Sequence, residues 1–163
     1  VNQYGKTKLQ GEQKVQKLCT DNIIIRTNIF GWNIKPKKVS SAEWIYYSLN
    51  NGEEITLFND YTFSPIYTVS LGEIIMKLIG MDFTGVINVG SPDHCSKYDF
   101  GIQLAEEFHF DKSCIRKGSI AGYNFVAPRC NKLDLNISKL SYMGLTAPDY
   151  GESLKKFSQN EPY

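Results

Sequence analysis

The spacing of apolar residues along the chain predicts an alternation of helices and short strands. Over residues 4–19, the apolar side chains of Leu9, Val15 and Leu18 stand among Lys, Gln and Glu, which is typical of a helix with one apolar stripe. Three consecutive isoleucines follow at 23–25 and indicate a strand that is buried on both faces of a sheet. Because a helix followed by a buried strand is half of a βαβ unit, the pattern predicts an α/β fold.

Local signals mark the ends of further elements. An N-cap residue followed three residues later by glutamate predicts helix starts at Ser40 with Glu43, Ser70 with Glu73 and Asp149 with Glu152. One more helix is predicted over residues 97–108, and strands are predicted over residues 54–58, 61–67 and 85–89. Pro65 places the second of these strands at an edge or near its end, because proline cannot donate to a sheet ladder. From residue 110 to the last helix the chain is expected to be irregular.

Composition and charge exclude several classes of protein. The chain of 163 residues carries 18 basic against 17 acidic side chains, and a net charge of +1 excludes the dense basic surface of an electrostatic nucleic-acid binder. No apolar run approaches the roughly 18 residues that span a bilayer, and the polar N-terminus is not a secretory signal. We therefore expect one soluble cytoplasmic domain with no membrane partner. Because the chain begins without Met inside a predicted helix, we also expect a fragment.

The sequence predicts neither a metal site nor a phosphate-binding turn. The four cysteines stand far apart without the spacing of zinc ligands, and we expect them to be reduced. No two of the 13 glycines are two or three positions apart, so the motif GxGxxG cannot occur. We therefore expect that the chain cannot build a glycine-rich dinucleotide turn by itself.

One pair of residues has the spacing needed for acid–base chemistry. Tyr4 and Lys8 stand four positions apart on the first predicted helix, so their side chains lie on one face. A neighbouring positive charge favours the phenolate form of a tyrosine, which can then donate or accept a proton near neutral pH. The alternative from spacing alone is a solvated helix face without a catalytic role.

The sequence around this pair resembles a known family. Residues 2–12, NQYGKTKLQGE, are similar to the N-x-Y-G-x-T-K-x-x-G-E segment of extended short-chain dehydrogenases/reductases, and especially of dTDP-4-dehydrorhamnose reductases. Four later segments are similar to the same family in the same order, at residues 23–33, 60–71, 96–104 and 127–140. Two departures are Cys130, where the family usually has Pro, and Lys132, where it usually has Ser.

The resemblance implies a fold and a division of the chain. The fold is the C-terminal part of an extended Rossmann-type reductase: an active-site helix, a buried parallel strand and then a mixed α+β substrate lobe. Residues 1–35 would end the Rossmann-type domain and residues 36–163 would form the substrate-binding lobe. The N-terminal cofactor half would be absent, together with most of the sheet that flanks the isoleucine strand.

The resemblance also implies roles for individual residues. Tyr4 would protonate the sugar C4 oxygen, and Lys8 would bind the nicotinamide ribose beside it. Asn28 would contact substrate or cofactor, Trp32 would line the substrate pocket, and Arg129 would pair with the substrate diphosphate.

Structural alternatives remain for some of these residues. Asn28 could instead cap a turn, and Arg129 could form a surface ion pair. Trp32, Phe63 and Tyr67 could pack in the core rather than line a pocket. His94 is expected to be a loop residue without a catalytic role.

These implications lead to one expected function and two alternatives. We expect reduction of a nucleotide-linked 4-keto sugar with NADPH or NADH. A sugar-nucleotide epimerase or dehydratase shares the tyrosine–lysine pair, and a non-catalytic sugar-nucleotide-binding or regulatory subunit could keep the fold. The expected partner is a nucleotide sugar, and assembly into a homo-oligomer is left open.

Overall fold

A computed structural model describes residues 2–33, 39–123 and 125–162. Within them the helices are α1 (Gln3–Leu18), α2 (Ser41–Asn50), α3 (Thr68–Gly80), α4 (Lys97–Glu107), α5 (Ser138–Tyr142) and α6 (Tyr150–Gln159). The strands are β1 (Ile23–Phe30), β2 (Ile55–Phe58), β3 (Thr62–Phe63), β4 (Pro65–Tyr67), β5 (Gly85–Val89), β6 (Cys95–Ser96), β7 (Ile115–Gly118) and β8 (Lys132–Leu133). The predicted α/β fold is confirmed.

The central sheet is parallel and has the order β4-β1-β5. The first five residues of β1 pair with β5, in a register that sets Ile23 opposite Gly85, and the last three pair with β4, in a register that sets Asn28 opposite Pro65. The expected edge position of Pro65 is confirmed, because β4 is the outer strand.

The isoleucine strand differs from expectation in its neighbours and its burial. Because β1 pairs with both β4 and β5, it is a central strand of this sheet, and Ile23, Ile24 and Ile25 are half-buried rather than fully buried. Ile23 and Ile25 pack against the cluster formed by Ile66, Leu78 and Ile87. Along Ile23–Thr27, only one edge has a strand partner among the described residues.

A second apolar cluster holds the rest of the chain together. Phe30, at the end of β1, meets the rings of Phe100 and Phe157 edge-on at centroid distances of 5.0 and 5.6 Å. All three rings are buried, and burial of each contributes about 1.5–3 kcal/mol. Because these residues come from β1, α4 and α6, the cluster joins the central sheet to these two helices.

Two local predictions are wrong, for long-range reasons. Ser70 does not cap α3, because β4 runs directly into the helix and Tyr67 takes the N-cap position. Ser70 is instead buried, and its hydroxyl accepts a hydrogen bond from Lys156 Nζ at 3.3 Å. The chain after residue 110 is not uniformly irregular either, since β7 pairs in parallel with β2. The capping boxes of α2 and α6 are confirmed.

The central sheet takes strands from both sides of the predicted boundary at residue 35. The assignment of two domains stays a prediction. No helix within residues 2–33, 39–123 and 125–162 is long and apolar enough to cross a membrane.

Candidate active site

Asn2 fixes the start of α1 and links it to a distant loop. Its side-chain Oδ1 accepts a hydrogen bond from the backbone N–H of Gly5 at 2.9 Å, which is the N-cap interaction of the helix. Its side-chain Nδ2 donates to the carbonyl oxygen of Pro128, also at 2.9 Å. The first turn of α1 is thereby held next to the segment that carries Arg129.

Tyr4 and Lys8 lie side by side on the exposed surface of α1. The Lys8 ammonium is 5.4 Å from the centroid of the Tyr4 ring, within the range of a cation–π interaction. The Tyr4 side chain is 70% exposed, so its phenol is accessible to a small molecule. The proximity expected from the sequence spacing is confirmed, whereas the catalytic role of the pair stays a prediction.

A cleft of about 870 Å³ opens beside the first turn of α1. Asn2 and Tyr4 form one wall, and Tyr61, Tyr123, Phe125 and Arg129 contribute to the others. Tyr4 and Arg129 thus line the same cleft. From the sequence, Tyr4 is expected to transfer a proton and Arg129 to bind the substrate diphosphate. Leu133 and Cys130 complete part of the lining.

An aromatic cluster contributes Tyr123 and Phe125 to the lining of the cleft. Phe58 meets Tyr123 edge-on at 5.1 Å, and Tyr123 stacks on Phe125 at 5.6 Å. The guanidinium of Arg129 lies 4.6 Å from the centroid of Phe125. A guanidinium held near a ring face keeps N–H groups that can donate hydrogen bonds to a phosphate ligand.

Asp60 anchors the start of this aromatic segment. Its carboxylate accepts hydrogen bonds from the Ser119 hydroxyl at 2.5 Å and from the backbone N–H of Ile120 at 2.7 Å. These two hydrogen bonds lower the pKa of Asp60 below its usual 3.8. The charged carboxylate therefore holds the loop that follows β7 against the loop that follows β2.

A smaller cavity of about 500 Å³ adjoins the cleft. Tyr61 and Arg129 line both spaces, and Lys97 lines only the smaller one. Burial raises the pKa of Tyr61 above its usual 10.0, while the positive charge of Arg129 acts in the opposite direction. The two cavities form adjacent compartments with cationic side chains on their walls.

Other predicted site residues lie away from the cleft. Trp32 stacks on Phe157 at a centroid distance of 4.1 Å, and its indole N–H donates to the Phe157 carbonyl oxygen at 3.0 Å. Phe63 and Tyr67 are buried in the same apolar cluster. The structure thus shows core-packing contacts for these three aromatic residues, and the role of Trp32 in lining the substrate pocket stays a prediction.

Asn28 also has a structural contact. Its Oδ1 accepts a hydrogen bond from the backbone N–H of Ser64 at 3.2 Å, which fixes the link between β3 and β4 against β1. His94 lies on an exposed loop. The role of Asn28 in binding substrate or cofactor stays a prediction.

The sequence analysis did not single out Tyr61, Lys97, Tyr123 or Phe125, which line these cavities. A signal existed for Lys97, because it stands directly after the N-cap Ser96, where a positive charge opposes the helix dipole. Nothing in the local sequence marks Tyr61 or Tyr123, since long-range pairing brings them to the cleft.

Comparisons with known proteins identify a matching family and several relatives of this chain. The family description "RmlD substrate binding domain" matches residues 1–162. A probable low-salt glycan biosynthesis reductase of Haloferax volcanii is 24% identical over 157 residues, which are 94% of this chain and 52% of that protein. The spore coat polysaccharide biosynthesis protein SpsK of Bacillus subtilis is 26% identical over 156 residues, which are 96% of this chain and 53% of that protein. The chain thus spans about half the length of these curated relatives.

A solved structure shares the fold. The dTDP-4-dehydrorhamnose reductase of Bacillus anthracis, in complex with NADP, superimposes with a TM-score of 0.88 at 24% identity. The match covers 97% of this chain and 55% of that protein. This likeness shows that the chain shares the Rossmann-like α/β fold of the matching part of that protein.

Proposed function

Because the chain belongs to the RmlD substrate binding domain family, we propose that it forms the catalytic and substrate-binding part of a reductase acting on a nucleotide-linked 4-keto sugar with NADPH or NADH. The observation that carries the proposal is the cleft itself: Tyr4, with Lys8 beside it, lines one wall, and Arg129 lines another. A proton donor and a phosphate-binding cation therefore border the same space. The reductase and polysaccharide-biosynthesis names of the relatives support the same class of reaction.

Reduction of a ketone requires a hydride at the carbonyl carbon and a proton at the carbonyl oxygen. A bound nicotinamide cofactor supplies the hydride. The phenol of Tyr4 donates the proton to the carbonyl oxygen, so the product is the sugar alcohol and the tyrosine is left as phenolate. The ammonium of Lys8, 5.4 Å from the Tyr4 ring centroid, stabilises that negative charge until solvent returns the proton.

The donor groups on α1 fit the nicotinamide end of the cofactor. An ammonium and a phenol can both donate hydrogen bonds to ribose hydroxyls, and α1 has no buried residue in the described structure, so this face is accessible. The pyrophosphate has no comparable cradle here, since the glycine spacings exclude a GxGxxG turn. We propose that the rest of the cofactor site lies outside these 163 residues.

The substrate diphosphate is assigned to Arg129. Its guanidinium lies 4.6 Å from the centroid of the Phe125 ring, and Arg129 lines the same cleft as Tyr4. A guanidinium can bind two phosphate oxygens at once, so it fixes both the position and the orientation of the substrate. The sugar then extends from Arg129 toward the phenol of Tyr4.

Turnover measurements test the proposed function. The protein, in a form that includes a cofactor-binding half, is supplied with a dTDP-linked 4-keto sugar and NADPH, and cofactor oxidation is followed by absorbance. Stoichiometric oxidation of NADPH with formation of the sugar alcohol is expected. Isomerisation of a nucleotide sugar without net cofactor oxidation would instead indicate an epimerase, and binding without any turnover would indicate a non-catalytic subunit.

A further inference from the structure

Lys97 carries a positive charge that no carboxylate of the described residues pairs with. Its Nζ lies 3.6 Å from the ring centroid of Phe63 and 5.8 and 5.9 Å from those of Tyr61 and Phe100. Aromatic faces attract a cation, but they do not neutralise it. Over residues 2–33, 39–123 and 125–162, no carboxylate lies within salt-bridge distance of Lys97.

The backbone position of Lys97 adds to this imbalance. Lys97 is the first residue of α4, where the helix dipole is positive and disfavours a cation. Asp99, the nearest carboxylate along the chain, accepts a hydrogen bond from the Ser96 hydroxyl at 2.6 Å instead. Burial lowers the pKa of Lys97 from 10.5 to about 8, with a smaller opposing effect of Cys95, so most of the ammonium remains charged at neutral pH.

The charge faces a space large enough for part of a ligand. Lys97 lines the smaller cavity, of about 500 Å³, together with Arg129 and the aromatic side chains of Trp44, Phe58 and Tyr123. Two cations lining one cavity suit a ligand with more than one negative charge. The surrounding rings suit a planar base, because aromatic side chains stack on nucleobases.

We propose that Lys97 is a specificity-determining residue that binds the diphosphate of the nucleotide-linked substrate together with Arg129, while the nucleoside occupies the smaller cavity. The inference rests on the proposed function for the identity of the substrate. The placement of the substrate rests on Arg129, which lines both cavities. A diphosphate bound at Arg129 would connect a sugar in the cleft beside Tyr4 to a base in the smaller cavity beside Phe58.

The test measures binding rather than turnover. Thymidine diphosphate and thymidine are titrated separately into the protein by calorimetry, with Lys97→Met, Lys97→Arg and the control Lys77→Met, which changes an exposed lysine of α3. Lys97→Met is expected to weaken binding of thymidine diphosphate by about 10- to 100-fold, the range for loss of a hydrogen bond to a charged group. Binding of thymidine should change by less than about threefold, since it carries no phosphate.

The two other variants separate charge from structure. Lys97→Arg should retain most of the diphosphate affinity, because the charge and donor groups remain, and Lys77→Met should retain all of it. Equal affinity of Lys97→Met and the parent for thymidine diphosphate would overturn the proposal. Equal losses for thymidine and thymidine diphosphate would also overturn it, because they indicate a structural role. The proposal would likewise be overturned if the parent protein did not bind thymidine diphosphate.

The same variants distinguish this inference from the proposed function. In turnover assays, Lys97→Met should raise KM for the nucleotide sugar and leave kcat within about twofold, as expected for loss of uniform binding energy. Diphosphate binding that depends on Lys97, without any reductase activity, would support the inference and overturn the proposed function. Reductase activity with a KM that is independent of Lys97 would support the proposed function and overturn the inference.

Discussion

Arg26 of β1 and Glu12 of α1 form a bidentate ion pair. Arg26 Nε lies 3.0 Å from Oε1 and Nη2 lies 2.6 Å from Oε2 of the carboxylate. The Glu12 side chain is 20% exposed and that of Arg26 is 49% exposed. Since α1 buries none of its residues within the described structure, this pair and the Asn2–Pro128 hydrogen bond are polar contacts that orient the helix carrying Tyr4.

Breaking this ion pair should lower stability in a pH-dependent way. The hydrogen bond from Arg26 is the largest influence on Glu12 and lowers its pKa below the usual 4.5. A carboxylate whose pKa is lower in the folded than in the unfolded protein stabilises the fold when the pH is above the unfolded-state pKa. This stabilisation is lost as the pH falls through the folded-state pKa. Arg26→Met should therefore reduce the free energy of unfolding by about 0.5–1 kcal/mol at neutral pH and by less below the lowered pKa.

Denaturant unfolding at several pH values checks this expectation. Arg116→Met is the matched control, because Arg116 pairs with Glu54 where both side chains are more exposed, at 65% and 62%. Its effect should be smaller than that of Arg26→Met. A loss for Arg26→Met that is the same at neutral and strongly acidic pH would contradict the assignment to Glu12.

Removal of the Tyr4 hydroxyl should separate turnover from cofactor binding. Tyr4→Phe keeps the ring and loses the proton donor, so kcat should fall by about 100-fold or more, whereas NADPH affinity should fall by less than about tenfold, as expected for loss of one hydrogen bond between neutral groups. Lys8→Met should reduce both quantities, because the ammonium contacts cofactor and phenol in the proposed site. Steady-state kinetics and cofactor titration measure the two effects. Tyr142→Phe, at an exposed tyrosine of α5, is the control, and equal activity of Tyr4→Phe and the parent would exclude the catalytic role.

Two glycine substitutions should change stability in opposite directions. A Cβ at Gly90 would stand 2.8 Å from the backbone oxygen of Ser64, an atom that cannot rotate away. Gly90→Ala should therefore lower the free energy of unfolding by about 1–3 kcal/mol. A Cβ at Gly72, inside α3, meets no atom within 4 Å, so Gly72→Ala should raise stability by up to about 1 kcal/mol. Chemical denaturation measures both, and a stabilised Gly90→Ala variant would refute the close approach.

The 163-residue chain by itself should bind NADPH only weakly. Lys8 and Tyr4 offer contacts to one end of the cofactor, whereas no glycine-rich turn holds the pyrophosphate. Titration of the chain with NADPH, followed by cofactor fluorescence or heat, measures the affinity. Low-micromolar binding would contradict the proposal that the rest of the cofactor site lies outside these residues.

The exposed apolar stripe of α1 should promote self-association of the same chain. Leu9, Val15 and Leu18 are 49%, 44% and 84% exposed, and they are expected to pair with another apolar surface at high protein concentration. Leu18→Glu should lower the average molar mass measured by light scattering. The thermal unfolding midpoint of the dilute Leu18→Glu chain should be nearly the same as that of the parent, because no residue of α1 is buried in the described structure. A parent chain that is monomeric at every concentration would disprove this expectation.

The sequence by itself determined the elements whose signals are local. The Ser40–Glu43 capping box starts α2 as expected, because both of its hydrogen bonds form within one turn of the helix. The spacing of Tyr4 and Lys8 fixes their proximity for the same reason, since helix periodicity sets four-residue neighbours side by side. The three isoleucines predicted a strand through their intrinsic preference for extended backbone.

Tertiary structure alone decided where distant residues meet. The path from β4 into α3 overrides the capping signal of Ser70, and the stacking of Trp32 on Phe157 joins residues 125 positions apart in sequence. The arrangement of Tyr4, Lys97 and Arg129 around two adjoining cavities depends on strand pairing and loop anchoring across the chain. Such contacts form because they bury apolar surface and satisfy polar groups in the assembled fold, and these energies have no counterpart in a local stretch of sequence.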